Sequence, residues 1–520
     1  KRIVNIRFDQ CCAWKSSLCM AFFIKQRFLI RQRCGILKEG SAGPMKGITG
    51  GFKIMKENVW KTYTDEQVKE LEALSGRYKA FLNAGKTERE CAAEAIRLAR
   101  AAGYQSLEEV QQTGKKLEAG DKVYACGMKK MLVLFQIGRK PLEDGMRILG
   151  AHIDSPRLDL KQNPLYEDTE MAYLDTHYYG GVKNYQWVTI PLAIHGVVAK
   201  KDGSVVEICI GEKEDDPVVF VSDLLIHLAA QQMDKKAKVV IEGENLDILI
   251  GSRPLAKTEG EEEEKADKEA VKANILGILK EKYGIEEDDF LSAELEFVPA
   301  DKARDCGLDR SMIMAYGQDD RVCAYTSLEA QLAIPVQERT TCCLLVDKEE
   351  IGSVGATGMQ SRFFENTVAE LLECMGEYSE LKLRRALSRS RMLSSDVSAA
   401  YDPLFASCFE KKNSAYFGHG LVFNKYTGAR GKSGSNDANA EYLAAIRAMM
   451  DEHNVAFQTA ELGKIDVGGG GTIAYITALY GMEVIDSGVA VLNMHAPLEV
   501  TSKADVYEAY KGYCAFLQEA

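Results

Sequence analysis

The chain has 520 residues, with 65 Lys and Arg against 77 Asp and Glu, for a formal net charge of −12. That length exceeds one typical core, so two domains are expected, and no uninterrupted apolar run approaches the ~20 residues that span a bilayer. So acidic a balance argues against nucleic acid as a partner, because phosphate binding draws on clustered cations, and no membrane partner is expected either.

Residues 1–54 depart from the rest, holding 11 Lys/Arg against 2 Asp/Glu and leaving 54 against 75 elsewhere. The run from Met20 to Ile24 is apolar and flanked by cations, but it lacks the clean apolar core and cleavage site of a signal peptide. Residues 1–54 are read as a non-native or unstructured extension, translated upstream sequence or a fragment artefact rather than a targeting segment, with Met55 as the natural start. From Tyr63 to Ala102 the apolar spacing is helical, opened by Thr64-Asp-Glu. Lys130–Phe135 and Met146–Gly150 read as strands, the second delivering His152 at its end.

Between Tyr178 and Ile250 the pattern turns to short β-type runs, among them Val205–Ile210 and Val239–Ile241. The charged stretch Lys257–Lys268 is a solvated loop. After about Glu294 strands and helices alternate again. Leu344–Val346 precedes Glu349-Glu350, helical spacing covers Arg362–Leu372 and Ala440–Asp451, and Leu462–Val467 and Gly488–Asn493 close the strand series. The expectation is an α/β fold, a three-layer α/β/α sandwich with a central mixed sheet, interrupted by an inserted β-rich domain. The catalytic part would be 55–157 with 302–520, and the insertion 158–301, serving oligomerisation or as a lid.

There are 14 Cys, four of them in the first 54 residues, and none forms a Cys-x-x-Cys pair. Small buried hydrophobes in a reducing cytoplasm fit that usage.

Chemistry gathers on acids and histidines set in apolar or glycine-rich surroundings: His152, Asp154, Asp319, Asp320, Glu349, Glu350, Asp396 and His495. Burying such carboxylates is costly unless positive charge sits among them. Most lie just past an apolar run, and open α/β sheets place ligands at strand carboxyl ends. His152 and Asp154 would share one strand face, an imidazole ligand backed by a carboxylate that fixes its tautomer. Adjacent Glu349 and Glu350 diverge, so one can ligate while the other serves as base. Two divalent ions would balance Asp319, Glu350, Asp396 and a bridging hydroxide, with two neutral histidines. Zn or Co suits such ligands, and Mn is admitted.

Five strings, Gly150-Ala-His-Ile-Asp-Ser-Pro-Arg157, Gln318-Asp-Asp-Arg321, Asp347-Lys-Glu-Glu-Ile-Gly-Ser353, Ser394-Ser-Asp-Val397 and Asn493-Met-His-Ala496, resemble the aspartyl aminopeptidase/aminopeptidase I family of dinuclear zinc exopeptidases. Tyr179-Gly-Gly-Val182 with Trp187 resembles that family's entry into its inserted domain. The resemblance runs from about Met55 onward. It implies two zinc ions per subunit, His152 and Asp396 holding one, Glu350 and His495 the other, and Asp319 bridging them. Glu349 would be general base, taking a proton from a metal-bridging water and returning it to the leaving amine, and Asp154 would orient His152. Asp320 departs from the Asn of many eukaryotic members. Peptide substrates, a homo-oligomer built from dimers and extending to a dodecamer, and a cytoplasmic location are implied likewise.

Other segments have bland readings beside the functional ones. Leu224–Ala229 resembles a family segment whose His reaches a neighbouring subunit's site, yet His227 could equally pack on an apolar helix face. Gly468–Gly471 with Thr472 lacks the Lys-Ser/Thr of a phosphate loop and better suits a turn lining a substrate cleft. Lys425, Arg430 and Lys432 could favour an acidic first residue or be ordinary loop charge. The competing functions are a metal-dependent amidohydrolase acting on acylated amino acids and a self-assembling scaffold with a vestigial site.

Overall fold

The computed structural model describes residues 57–256, 269–428 and 431–519. Residues 1–54, the acidic stretch Lys257–Lys268 and Arg430 therefore lie outside the described residues. The first helical stretch is two helices. Thr64 caps Asp65–Ala84 through a reciprocal box with Gln67, and Thr87 caps Glu88–Ala101 through one with Glu90. At Gly85, between them, the chain folds back so closely that a Cβ would sit 2.9 Å from Cα of Cys91.

The main sheet has nine strands: β1 Gln105–Ser106, β2 Lys122–Gly127, β3 Met131–Gln136, β4 Arg147–His152, β5 Thr341–Val346, β6 Arg391–Ser395, β7 Leu421–Asn424, β8 Phe457–Thr459 and β9 Glu483–Gly488. Their order is β1-β2-β3-β5-β4-β6-β9-β7-β8. The central strands β5, β4, β6 and β9 run parallel, while β3 and β7 are antiparallel to their inner neighbours. Every residue of β4 and β5 is buried, as strands covered on both faces require. Alternate residues feed two cores. Leu149, Ala151, Cys343 and Leu345 pack with the helices Asp65–Ala84, Gln318–Ala333 and Lys503–Gln518, whereas Ile148, Cys342 and Leu344 pack with Phe363–Cys374 and Glu380–Ser388. The fold is thus mixed α/β, with Cys342 and Cys343 acting as small core hydrophobes and every described cysteine free.

A second, seven-stranded antiparallel sheet is drawn entirely from residues 157–299, around a core that includes Trp187 and Phe297. A five-stranded sheet joins Arg304–Cys306, Met312–Ala315, Ser398–Ala399, Ala490–Leu492 and Glu499–Ser502. Gly488–Asn493 is thereby split: β9 ends at Gly488 and Ala490–Leu492 changes sheets.

Two expected strands are not strands. Val239 ends a 3-10 turn, Ala237–Val239, where its amide donates to the Lys236 carbonyl at 2.8 Å and its side chain stays exposed, and Val240 and Ile241 follow as a bend. Three apolar residues between charged neighbours find no strand to pair with. Leu462–Val467 is a series of turns: Gly463 and Asp466 take left-handed φ of 74° and 67°, the Val467 amide donates to Lys464, and Ile465 and Val467 are exposed. Local turn chemistry wins over β propensity in both.

Candidate metal centre

His152 is the final residue of β4, so the chain has already left the strand at Asp154. The two do not share a strand face. They meet because the following turn brings the Asp154 carbonyl to 3.0 Å and its Oδ1 to 3.3 Å from His152 Nδ1. Nε2 is left pointing at carboxylates: Asp319 Oδ1 at 3.1 Å, Glu349 Oε2 at 3.9 Å and Asp396 Oδ1 at 3.9 Å. Asp396 follows β6, and Glu349-Glu350 open a 3-10 turn just past β5. Lys348 and Gly352, with φ of 67° and 91°, flank that turn.

Asp319, second in the helix Gln318–Ala333, has non-helical dihedrals. Its second oxygen, Oδ2, lies 3.3 Å from Nε2 of His495, which is itself 3.5 Å from Glu350 Oε2. The ligand atoms of His152, Glu349 and Asp396, and again of His152, Asp319 and Glu350, lie within 4.8 Å of one another.

Three residues outside these groups hold the arrangement. Asp154, fully buried, accepts the backbone amides of Glu349 at 3.1 Å and Glu350 at 3.2 Å and the Tyr179 hydroxyl at 2.8 Å. Glu499, also buried, accepts the amides of Asp319 at 2.9 Å and His495 at 2.7 Å. The carbonyl of Gly181 faces His495 Nδ1 at 3.0 Å. Space is tight here, since a Cβ on Gly181 would lie 3.3 Å from that nitrogen and one on Gly180, whose φ is 75°, equally close to Cβ of Glu350. Tyr179 was legible only as part of a quoted string. Glu499 was missed, its sole signal being an acid between Leu498 and Val500.

Electrostatics describe a cluster short of positive charge. Burial, then the Asp319 charge, holds the Glu350 carboxyl well above the usual range, and one of its oxygens, Oε1, is buried without a hydrogen-bond partner. Burial pushes Glu349 up to about 7 and Asp396 well above the carboxylate range. Burial alone would lower His152, but hydrogen bonds to Asp154 and Asp319 raise it far more, and His495 is held up at about 10 by Asp319 and Glu350 against its own burial. Cations among these groups would relieve the repulsion and let the imidazoles ligate as neutral rings.

A cavity of about 440 Å³ takes in Asp319, Glu349, Glu350, Asp396 and His495, together with Gly469–Gly471, Thr472 and Asp486. The glycine run thus lines the cleft, with Thr472. Asp320 is buried, and that burial pushes its carboxyl well above the usual range. Lys425 and Lys432 do not line this cavity, and both pair with Asp437 on the surface. His227 is exposed in a turn rather than packed on a helix, among exposed Leu224, Leu225, Ile226 and Leu228.

A mixed α/β fold that brings two imidazoles and four carboxylates together at strand ends, a helix start and a loop, beside one cavity, has the makeup of a metal-dependent hydrolase. A family model described as "Aminopeptidase I zinc metalloprotease (M18)" matches residues 81–517. The chain is 62% identical over 466 residues to "Probable M18 family aminopeptidase 1" of Clostridium acetobutylicum, spanning 89% of this chain and 99% of that protein. It is 44% identical to the protein of the same name from Thermotoga maritima, over 90% of this chain and 100% of that one. The crystal structure of aminopeptidase I from Clostridium acetobutylicum matches with a TM-score of 0.82 at 59% identity, covering 89% of this chain and 99% of that chain. The S. cerevisiae mApe1 dodecamer structure shares the fold at 20% identity, with a TM-score of 0.69 over 87% of this chain and 97% of its own. The chain belongs to the M18 family, the aminopeptidase I zinc metalloproteases. It is a zinc metallo-aminopeptidase, and none of its described helices is long and apolar enough to cross a membrane.

Proposed function

We propose that the chain removes the N-terminal residue of peptides at a dinuclear zinc centre, with His152 and Asp396 on one ion, Glu350 and His495 on the other, and Asp319 shared. The observation that carries this is the division of Asp319, whose Oδ1 faces His152 at 3.1 Å and whose Oδ2 faces His495 at 3.3 Å. A carboxylate split between two imidazole-bearing groups is what a bridging ligand requires. The buried, unpartnered Oε1 of Glu350 fits a ligand role in the same way. When bound, the ions supply Lewis-acid activation of a shared water and of the first peptide carbonyl.

The remaining work falls to the chain's own groups. Glu349 is the base. Its side chain is the more open of the adjacent pair, 16% exposed against 3% for Glu350, and burial brings its carboxyl to about 7, where it can take a proton from water at Oε2 and return it to the leaving amine. Asp154 positions both glutamates by their amides and holds the His152 ring. Residues 158–301, which carry the antiparallel sheet, serve as an inserted oligomerisation domain in a homo-oligomer built from dimers, with twelve subunits as its largest form, and His227 reaches a neighbouring copy's site. The location is cytoplasmic.

Metal analysis of zinc-reconstituted protein should give two ions per chain. Glu349→Gln should keep both while kcat on unblocked peptides falls by about 100- to 10,000-fold. One ion per chain, or turnover retained in that variant, refutes the assignment.

A further inference from the structure

We infer that Asp486 selects substrates whose first residue carries a cationic side chain, lysine or arginine, which deepens and rests on the aminopeptidase function proposed above. Asp486 lies on β9, in register with Ser394 of β6, the strand that leads into Asp396, and with Asn424 of β7. Its side chain is 2% exposed and lines the cavity of the metal centre. One oxygen, Oδ1, accepts the Thr472 hydroxyl at 2.5 Å. The other, Oδ2, is buried without a hydrogen-bond partner. A buried carboxylate oxygen left unpaired inside a ligand-sized cavity is a vacancy for a donor, and for a charged one above all.

The charge balance around it points the same way. Of the five carboxylates that line the cavity, Asp319, Glu350 and Asp396 would hold the ions and Glu349 would serve as base, so Asp486 is the lining acid left without a task. Among the described residues, no lysine or arginine lines the cavity to neutralise it. Lys425 and Lys432, which would favour an acidic first residue, are both committed to Asp437 outside it. Gly469–Gly471 line the same space without side chains, leaving room for a long flexible one. An aspartyl side chain placed there would meet like charge.

The zinc-reconstituted full chain should be assayed with unblocked lysyl, norleucyl and aspartyl p-nitroanilides, norleucine being the lysine chain without its ammonium group. The lysyl substrate should lead the norleucyl one in kcat/KM by about 10- to 100-fold, the worth of one charge-assisted hydrogen bond in a buried site. Asp486→Asn should bring that ratio close to one. Equal kcat/KM for lysyl and norleucyl substrates in the unmodified chain overturns the inference. So does a loss in Asp486→Asn that is equal for all three, since the acid would then act on something they share. If zinc is bound and no unblocked substrate is cleaved, the aminopeptidase function fails instead, and calorimetric binding of L-lysine against L-norleucine still decides the pocket: tighter lysine supports it, equal affinity refutes it.

Discussion

Replacing Asp154 by Asn keeps the shape of the side chain and removes its capacity to accept on both sides. Oδ1 now accepts the Glu349 amide and faces His152 Nδ1 at 3.3 Å, while Oδ2 accepts the Glu350 amide and the Tyr179 hydroxyl. Whichever way the new amide turns, its NH2 confronts one of the two glutamate N–H groups, donor against donor. At about 1–3 kcal/mol for each buried donor left unsatisfied, and with Tyr179 or His152 losing its partner as well, the substitution should cost about 2–6 kcal/mol. That strain falls on the turn that presents Glu349 and Glu350 and on the ring of His152, so zinc affinity should drop by about 10- to 100-fold. Competition against a fluorescent chelator measures it, with the melting temperature of chelator-stripped protein as a check on folding. Affinity within twofold of the unmodified chain would refute the idea that Asp154 acts by holding these groups.

Glu499→Gln should weaken zinc binding about tenfold in the same competition, because one of the amides of Asp319 and His495 loses its acceptor. Gly180→Ala must adopt a φ of 75° with its Cβ 3.3 Å from Glu350, and a cost of about 1–3 kcal/mol should appear as a lower denaturation midpoint. Chelation should abolish peptidase activity and lower the melting temperature, and added zinc should restore both. At His195, burial acts to lower the pKa, but hydrogen bonds to Cys209, Glu212 and Glu90 raise it to about 11. A group raised above its unfolded value stabilises fully below about pH 6.5 and loses that contribution as pH climbs toward 11. Urea midpoints should therefore separate the unmodified chain from His195→Gln more at pH 6 than at pH 9.

The strands that carry the centre were readable because burial on both faces writes them as apolar runs, and the acids that interrupt those runs stood out against them. Turns were less readable. Val239–Ile241 and Leu462–Val467 have strand composition, yet a partner strand is a long-range fact that composition does not carry, and local hydrogen bonds took both segments. Glu499 and Asp486 escaped for a related reason. An acid within a strand is ordinarily its solvent face, and only the packing of neighbouring strands turns Asp486 inward to the cavity and sets Glu499 beneath two backbone amides. His152 with Asp154 is the converse case: their contact was foreseen, but it comes from the turn after β4 rather than from alternation along it.

His152 and His495 lie far apart in the chain, Asp319 faces both, and Glu499, farther on still, accepts the amides of Asp319 and His495. A ribosome-bound fragment that stops just short of this strand carries every histidine and carboxylate facing the cavity but lacks the acceptor that fixes the Asp319 and His495 amides. The last strand to leave the ribosome thus supplies the anchor for a residue made long before it, Asp319, and the centre takes its described geometry only once synthesis and packing have reached Glu499.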